Sequence, residues 1–280
     1  MIFVSPFTPL FFSPSTDIYG ADSHYLQLFS PSDIIFIEVI GVDNTDPVNV
    51  TLNYLDIGTS SVQVMNTWIM NEHYTLHYCF ITGTDEGKYS VTVNGAESEP
   101  FLVTSDDELL DRTTLIEYSM RDNRQRQDGV FVINGVQQFF QFRAPGGFKD
   151  DGWQFGVDNE QFNTLESQVA EVFSADIVQK QFTLGNAEGC PVWYASLLNR
   201  IMSCSYIIIG DERYVRAGTS TPEQTQSIVG KKAFIFKQLM QKVDYYDDNM
   251  AWRRDDYNVN MAVRIANDDL RITEDSLRKI

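Results

Sequence analysis

Short runs of β-branched and aromatic residues, each closed by turn-forming residues, constrain this chain more than any other feature it has. IIFIEVIGV (34–42), VNVTLNYLDI (48–57), VQVMNTWIM (62–70) and YTLHYCFI (74–81) follow one another with no helical period between them. KYSVTV (88–93) comes next, then Asn94-Gly95 and a short strand around residues 100–103. Asn-Gly between alternating runs marks a hairpin, because both residues tolerate positive φ. Strands at this spacing predict an antiparallel sandwich of immunoglobulin-like type. The Cys–Trp–Cys core of antibody domains is missing, which leaves Trp68 as a core aromatic.

Composition sets the class. The 280 residues are 43% hydrophobic, enough for a packed core, and this excludes a largely disordered chain. Lys and Arg number 21 against 39 Asp and Glu, a net charge of −18. Residues 1–120 hold two basic residues, Lys88 and Arg112, against 17 acidic ones, whereas residues 121–280 hold 19 against 22. The acidity therefore belongs to the first part, with a boundary near 105–125. A sequence pI near 4.4 excludes a protein built to grip nucleic acid, and anionic membrane surfaces would repel it. The plain reading is a solvated acidic face; the sharper one is a surface that must not adhere to nucleic acid.

Four segments follow from this reading. Residues 1–20, MIFVSPFTPLFFSPSTDIYG, lack the cationic flank of a secretory signal and are interrupted by Pro6, Pro9 and Pro14, which predicts an extended apolar arm. Residues 21–110 form the β-sandwich. Residues 111–245 form a β-rich domain with one clear helix, at about 191–203. Residues 246–280, mixed in charge and sparse in apolar anchors, form a C-terminal arm. No apolar run is long enough for a membrane helix, so no membrane anchor is expected.

Within the second domain, SDDELLD (105–111) reads as an acidic link and TTLIEY (113–118) as a strand. RDNRQRQDG (121–129) is a charged loop, and a hairpin turns at Asn134-Gly135, its second strand ended by Pro145-Gly146-Gly147. Residues 160–185 fit both periods; strand is the reading for 167–184. In PVWYASLLNRIMSC (191–204), Tyr194, Leu197, Leu198 and Ile201 fall at i, i+3, i+4 and i+7, one apolar stripe, and Pro191 suits the first turn. A hairpin at Gly210-Asp211 and a last core strand within 232–245 complete it.

Chemistry-bearing motifs are scarce. Cys79, Cys190 and Cys204 form an odd count without CxxC spacing, against a disulfide framework or zinc knuckle. His73 and His77 lie in a strand-like run, where four residues span about 13 Å, too far for one metal; His24 stands apart. Adjacent acidic pairs (Asp106 and Asp107, Asp150 and Asp151, Asp247 and Asp248, Asp255 and Asp256, Asp268 and Asp269) read as solvated surface rather than as paired catalytic carboxyls. The glycine-rich stretch APGGFKDDGW (144–153) reads as a tight turn, since no helix follows to cradle a phosphate. No catalytic, cofactor-binding or metal-ligating residue is assigned.

The succession TLIEY (114–118), FTLGNAEGCPVWYASLLNRIMSC (182–204), RYVRAGTSTPE (213–223) and GKKAFIFKQLMQKVDY (230–245) resembles tail-associated structural proteins of phages infecting Bacteroidetes, crAss-like phages among them. The shared order is a T-L-I-E-Y strand, a G-N-x-x-G-V-P turn entering a helix, a hairpin, and a Y-V-R-x-x-x-S-x-P-E segment. Here the G-V-P element stands as Gly189-Cys190-Pro191. The resemblance covers roughly residues 113–245.

It implies a non-enzymatic virion component without cofactors, assembled in the bacterial cytoplasm into a tail hub, baseplate or adaptor. Its partners would be other copies of itself in a ring and neighbouring tail proteins, with no sequence-specific nucleic acid binding. The apolar arms would clasp neighbours, and the acidic domain would face a lumen through which DNA slides. A competing expectation is a β-sandwich adhesin or carbohydrate-binding module stacking sugars on Trp153, Trp252 or Tyr257. A polysaccharide-cleaving tail enzyme is a third.

Overall fold

A computed structural model describes residues 1–12, 26–43, 47–163, 169–185, 189–217, 223–228, 233–243, 270–273 and 276–279. The chain is predominantly β. Its first half contains β1 (Ile2–Val4), β2 (Gln27–Phe29), β3 (Ile35–Val42), β4 (Val50–Tyr54), β5 (Thr59–Gln63), β6 (Asn66–Ile69), β7 (Tyr74–Ile81), β8 (Gly87–Val93), β9 (Ala96–Glu97) and β10 (Phe101–Val103). They form two sheets, ordered β1-β3-β7-β6 and β2-β10-β8-β4-β5, with β9 paired to β8. This is how an immunoglobulin sandwich distributes its strands, A-B-E-D on one sheet and G-F-C-C′ on the other. β2 runs parallel to β10 and closes the second sheet; every other pairing in the sandwich is antiparallel.

A second mark of that topology lies at the start of β8. The Tyr89 hydroxyl donates to the carbonyl of Asp85, four residues upstream, at 3.0 Å. Val91, fully buried, fills the core position two residues on, where antibody domains place a cysteine. Gly87 takes φ +147°, and a Cβ there would come within 2.4 Å of the Tyr54 ring.

Both faces of β3 are buried, which explains why its sequence is nearly continuous in hydrophobic residues. Ile35, Ile37 and Val39 point into the sandwich with Val50, Val91 and Phe101. Phe36 and Ile40 point the other way, into a core shared with the second half of the chain. The sheet β1-β3-β7-β6 is thus the middle layer of three.

The second half contains α1 (Asp107–Leu110), β11 (Thr113–Ser119), β12 (Val132–Ile133), β13 (Val136–Gln137), β14 (Phe140–Asn163), β15 (Val169–Leu184), α2 (Val192–Ile201), β16 (Tyr206–Ile209), β17 (Glu212–Arg216), β18 (Glu223–Ile228) and β19 (Ala233–Lys242). β14 pairs with β11 and β15, β15 with β19, β19 with β17, β17 with β16, and β16 with β11. The ladder returns to its first strand, so six antiparallel strands close into a small barrel and β18 extends it from β19. Ile116, Tyr118, Phe142, Phe182 and Met240 fill its core, as a barrel of this size requires. Tyr194, Leu197, Leu198 and Ile201 of α2 pack into the same core. Further along, β20 (Leu270–Thr273) and β21 (Ser276–Lys279) pair with each other.

Several sequence expectations are corrected. The run at 62–70 is not one strand: the chain crosses from one sheet to the other between Gln63 and Asn66. Residues within 105–111 include a helical turn, capped by the Asp106 carboxylate accepting from Glu108 N–H at 2.9 Å. Pro145-Gly146-Gly147 does not end a strand, and the stretch at 144–153 is not a turn. β14 runs through it, because Gly146 at φ +127° lets β15 approach where a Cβ would lie 2.1 Å from the Thr183 carbonyl. Pro191 is the N-cap of α2 rather than its first residue.

The N-terminal arm is built into the molecule as far as it is described. Ile2–Val4 pair with β3, and Phe7 is fully buried against Phe131 and Phe140. Phe7 and Leu10 are thus buried within their own chain. Residues 13–25 of the arm and sandwich, and 244–269 of the C-terminal arm, lie outside the described residues.

Candidate interaction surfaces

Where the sandwich meets the barrel, a fully buried carboxylate stands among apolar groups. Glu38 of β3 accepts the Val130 N–H on both oxygens at 3.2 Å. Burial pushes its carboxyl up to about 8, against the opposing pull of the Val130 N–H and the Ser5 hydroxyl. At neutral pH Glu38 is mostly protonated. Beside it, Arg126 grips Asp128 through two bonds of 2.7 and 2.6 Å and lies 4.8 Å over the Phe7 ring. That grip holds the Asp128 carboxyl below the ordinary range.

A second polar bridge crosses the same junction. Asp33, before β3, receives both the Nε and an Nη of Arg143 of β14 at 2.7 Å, with the Asp33 side chain only 2% exposed. Next to it Gln141 accepts the Ile34 N–H and donates to Glu117, each at 2.7 Å. These are fixing contacts.

The sequence-level candidates remain dispersed. Cys79, Cys190 and Cys204 are free and buried. Burial pushes the Cys79 and Cys204 thiols up to about 12 and Cys190 higher still, so none is a ready nucleophile. His77, buried on β7, meets Thr67 at 3.2 Å; exposed His73 precedes the strand and pairs with Asp43 at 2.7 Å. His24, Trp252, Tyr257 and the acidic pairs at 247–248, 255–256 and 268–269 lie outside the described residues. Among the described residues no three His, Cys, Asp or Glu side chains gather at metal-binding distance. No helix among them is long and apolar enough to cross a membrane.

One exposed apolar surface lies where the strand pattern hid it. β14 and β15 stay paired from Gln154–Gln179 out to Asn163–Val169, while β19 joins β15 only as far as Gln179. Beyond that point the two strands form a ribbon that no third strand joins among the described residues. Trp153, Phe155 and Val157 share one face by the two-residue period, with exposures of 44%, 78% and 60%. Trp153 stacks on Phe155 and carries the Lys180 ammonium 4.3 Å over its ring. The visible signal was the alternation W-Q-F-G-V-D from 153 to 158, which an expected turn at 144–153 obscured.

Two grooves accompany the ribbon. One, of about 330 Å³, lies between α2 and the N-terminal segment and is lined by Val4, Pro6, Phe11, Trp193, Leu197 and Arg200 among others. The other, of about 380 Å³, lies at the sandwich end, where Tyr54, Phe80, Thr82 and Asp85 meet.

Compared with protein-family models, with curated proteins and with solved structures, the chain matches none.

Proposed function

We propose that this protein is a non-enzymatic structural subunit of a phage tail, working in an oligomeric hub, baseplate or adaptor ring. The observation that carries the reading is the β14–β15 ribbon, which no third strand joins among the described residues. Two strands alone are marginal in water, and this pair displays Phe155 and Val157 to solvent. Such a ribbon belongs against another subunit. The sequence resemblance supports the tail assignment, since its segments supply most of β11, the end of β15, α2, most of β17 and β19 of the barrel.

The acidic sandwich suits a wall past which DNA must slide without sticking. Gold-labelled antibody against the chain, applied to phage particles from a culture that makes it, tests the assignment. Gold at the tail supports it, and particles without label reject it.

The groove beside Tyr54 and Phe80 favours a second reading, a glycan-binding module. Aromatic rings next to Thr and Asp side chains are suited to sugar faces and hydroxyls. Binding on a glycan array that is lost in Phe80→Ala would favour this reading over the first.

A further inference from the structure

The groove at the sandwich end lies between two open sheet edges. Along β7 the Tyr74 carbonyl accepts from Met70 N–H at 3.0 Å, so residues 74, 76 and 78 direct their backbone groups at β6. Residues 75, 77, 79 and 81 direct theirs at β3. The same alternation turns the N–H and C=O of Phe80 towards the β6 side, and the trans peptide that follows Ile81 turns the Thr82 N–H there too. β6 begins at Asn66, opposite Tyr78, so no strand among the described residues pairs with Phe80 or Thr82 on that side.

The facing edge belongs to β5. Leu55 N–H bonds the Lys88 carbonyl at 2.8 Å, which sets the odd residues of β4 towards β8 and the even ones towards β5. Residues 59, 61 and 63 of β5 answer them, and Ser60 and Val62 direct their backbone groups away from the sheet. The groove between these edges, of about 380 Å³, is lined by Leu52, Ile81 and Tyr89, all buried.

Its charge is of one sign. Asp85 is the one charged side chain in the lining, and none of the described ion pairs engages it. Burial, Tyr54, Asp85 and Asp56 together hold the Tyr89 hydroxyl above its ordinary range, which sets a second carboxylate close by. Lys88 stands on the opposite face of β8 from Tyr89 by the two-residue period. Open backbone donors and acceptors beside buried apolar side chains are satisfied by an extended main chain, and unpaired carboxylates by Lys or Arg.

We infer that this groove takes an extended cationic segment of another protein as an added strand, bonded to Phe80 and Thr82 in line with β6, with Lys or Arg set against Asp85. The contact does not rest on the tail reading, and it competes with a glycan for the same groove.

The test selects short random peptides displayed on yeast against the full-length chain. Enriched sequences should alternate apolar residues with Lys or Arg. Synthetic copies should bind at least about tenfold more weakly to Thr82→Pro, which removes one edge N–H, and to Asp85→Lys, which reverses the charge; a thermal melt shows that each variant is folded. N-methyl groups placed along the peptide should weaken binding at every second position, a pattern that needs no variant of the protein.

A selection that enriches nothing overturns the inference, as do acidic or proline-rich peptides. So does an N-methyl scan without the two-residue period, or binding that Asp85→Lys leaves unchanged. Glycan-array binding lost in Asp85→Lys puts a sugar in the groove, and wild-type oligomers dissolved by that variant put a second copy there; either result overturns it. Particle labelling is independent: tail label without peptide binding rejects the added strand alone, and peptide binding without label rejects the tail alone.

Discussion

Arg143 of the barrel holds the buried Asp33 carboxylate of the sandwich in a two-pronged grip, both bonds at 2.7 Å. The pair joins two halves of the chain 110 residues apart in sequence. Removing one partner leaves the other charge buried with fewer bonds, although Asp33 keeps the Ser30 N–H at 2.8 Å. Arg143→Ala is expected to cost about 3 kcal/mol, read by urea denaturation. Asp33→Ala strands the guanidinium instead, and the double variant should recover part of either loss.

Glu38 makes stability depend on pH. Its folded carboxyl titrates near 8, well above the ordinary value of 4.5. Below the ordinary value both folded and unfolded chains carry the proton, and no penalty exists. Between about 4.5 and 8 the unfolded chain ionises while the folded chain does not, so stability falls by up to about 1.4 kcal/mol per pH unit from this group. Glu38→Gln should flatten that slope and be more stable than wild type at pH 8. Melts of both proteins from pH 5 to 8 read the difference.

The Tyr89 hydroxyl fixes the turn into β8. Tyr89→Phe keeps the ring, which stacks on Tyr54 with centroids 4.6 Å apart, and loses only the bond to Asp85. A cost of about 1 kcal/mol is expected. Gly87→Ala should cost more, because it adds a clash with Tyr54 to an unfavourable φ.

Buried thiols with raised pKa react slowly. In the native protein, a thiol-reactive dye should label Cys79, Cys190 and Cys204 only after denaturant is added. Reductant should leave the melting temperature unchanged, since all three are free.

Much of the fold was legible because burial and period coincided. β7 occupies residues 74–81 as its alternation predicted, and all four stripe residues of α2 are buried. Asn94-Gly95 and Asn134-Gly135 take positive φ at both positions. The reading of 167–184 as strand is realised in β15 from Val169 on, residues 167–168 lying outside the described ones.

What failed had physical causes. Gly146 signals close strand approach as readily as a stop. A sheet switch at residues 64–65 leaves no trace in a period of two. Whether the apolar residues around Phe7 lie on their own molecule or a neighbour is a tertiary fact that local sequence does not carry. The Tyr89–Asp85 bond at the start of β8 did leave a trace, Asp85-x-Gly87-x-Tyr89-x-Val91, in which each residue has a structural role. Glu38 is the single charged step of a buried strand, and only the junction shows why its face matters.

Self-assembly decides whether this chain is a ring subunit. Light scattering with negative-stain imaging of the purified full-length chain tests it most directly, at low and at moderate salt. Closed rings are the predicted result. A chain that stays monomeric at every concentration and salt would contradict it.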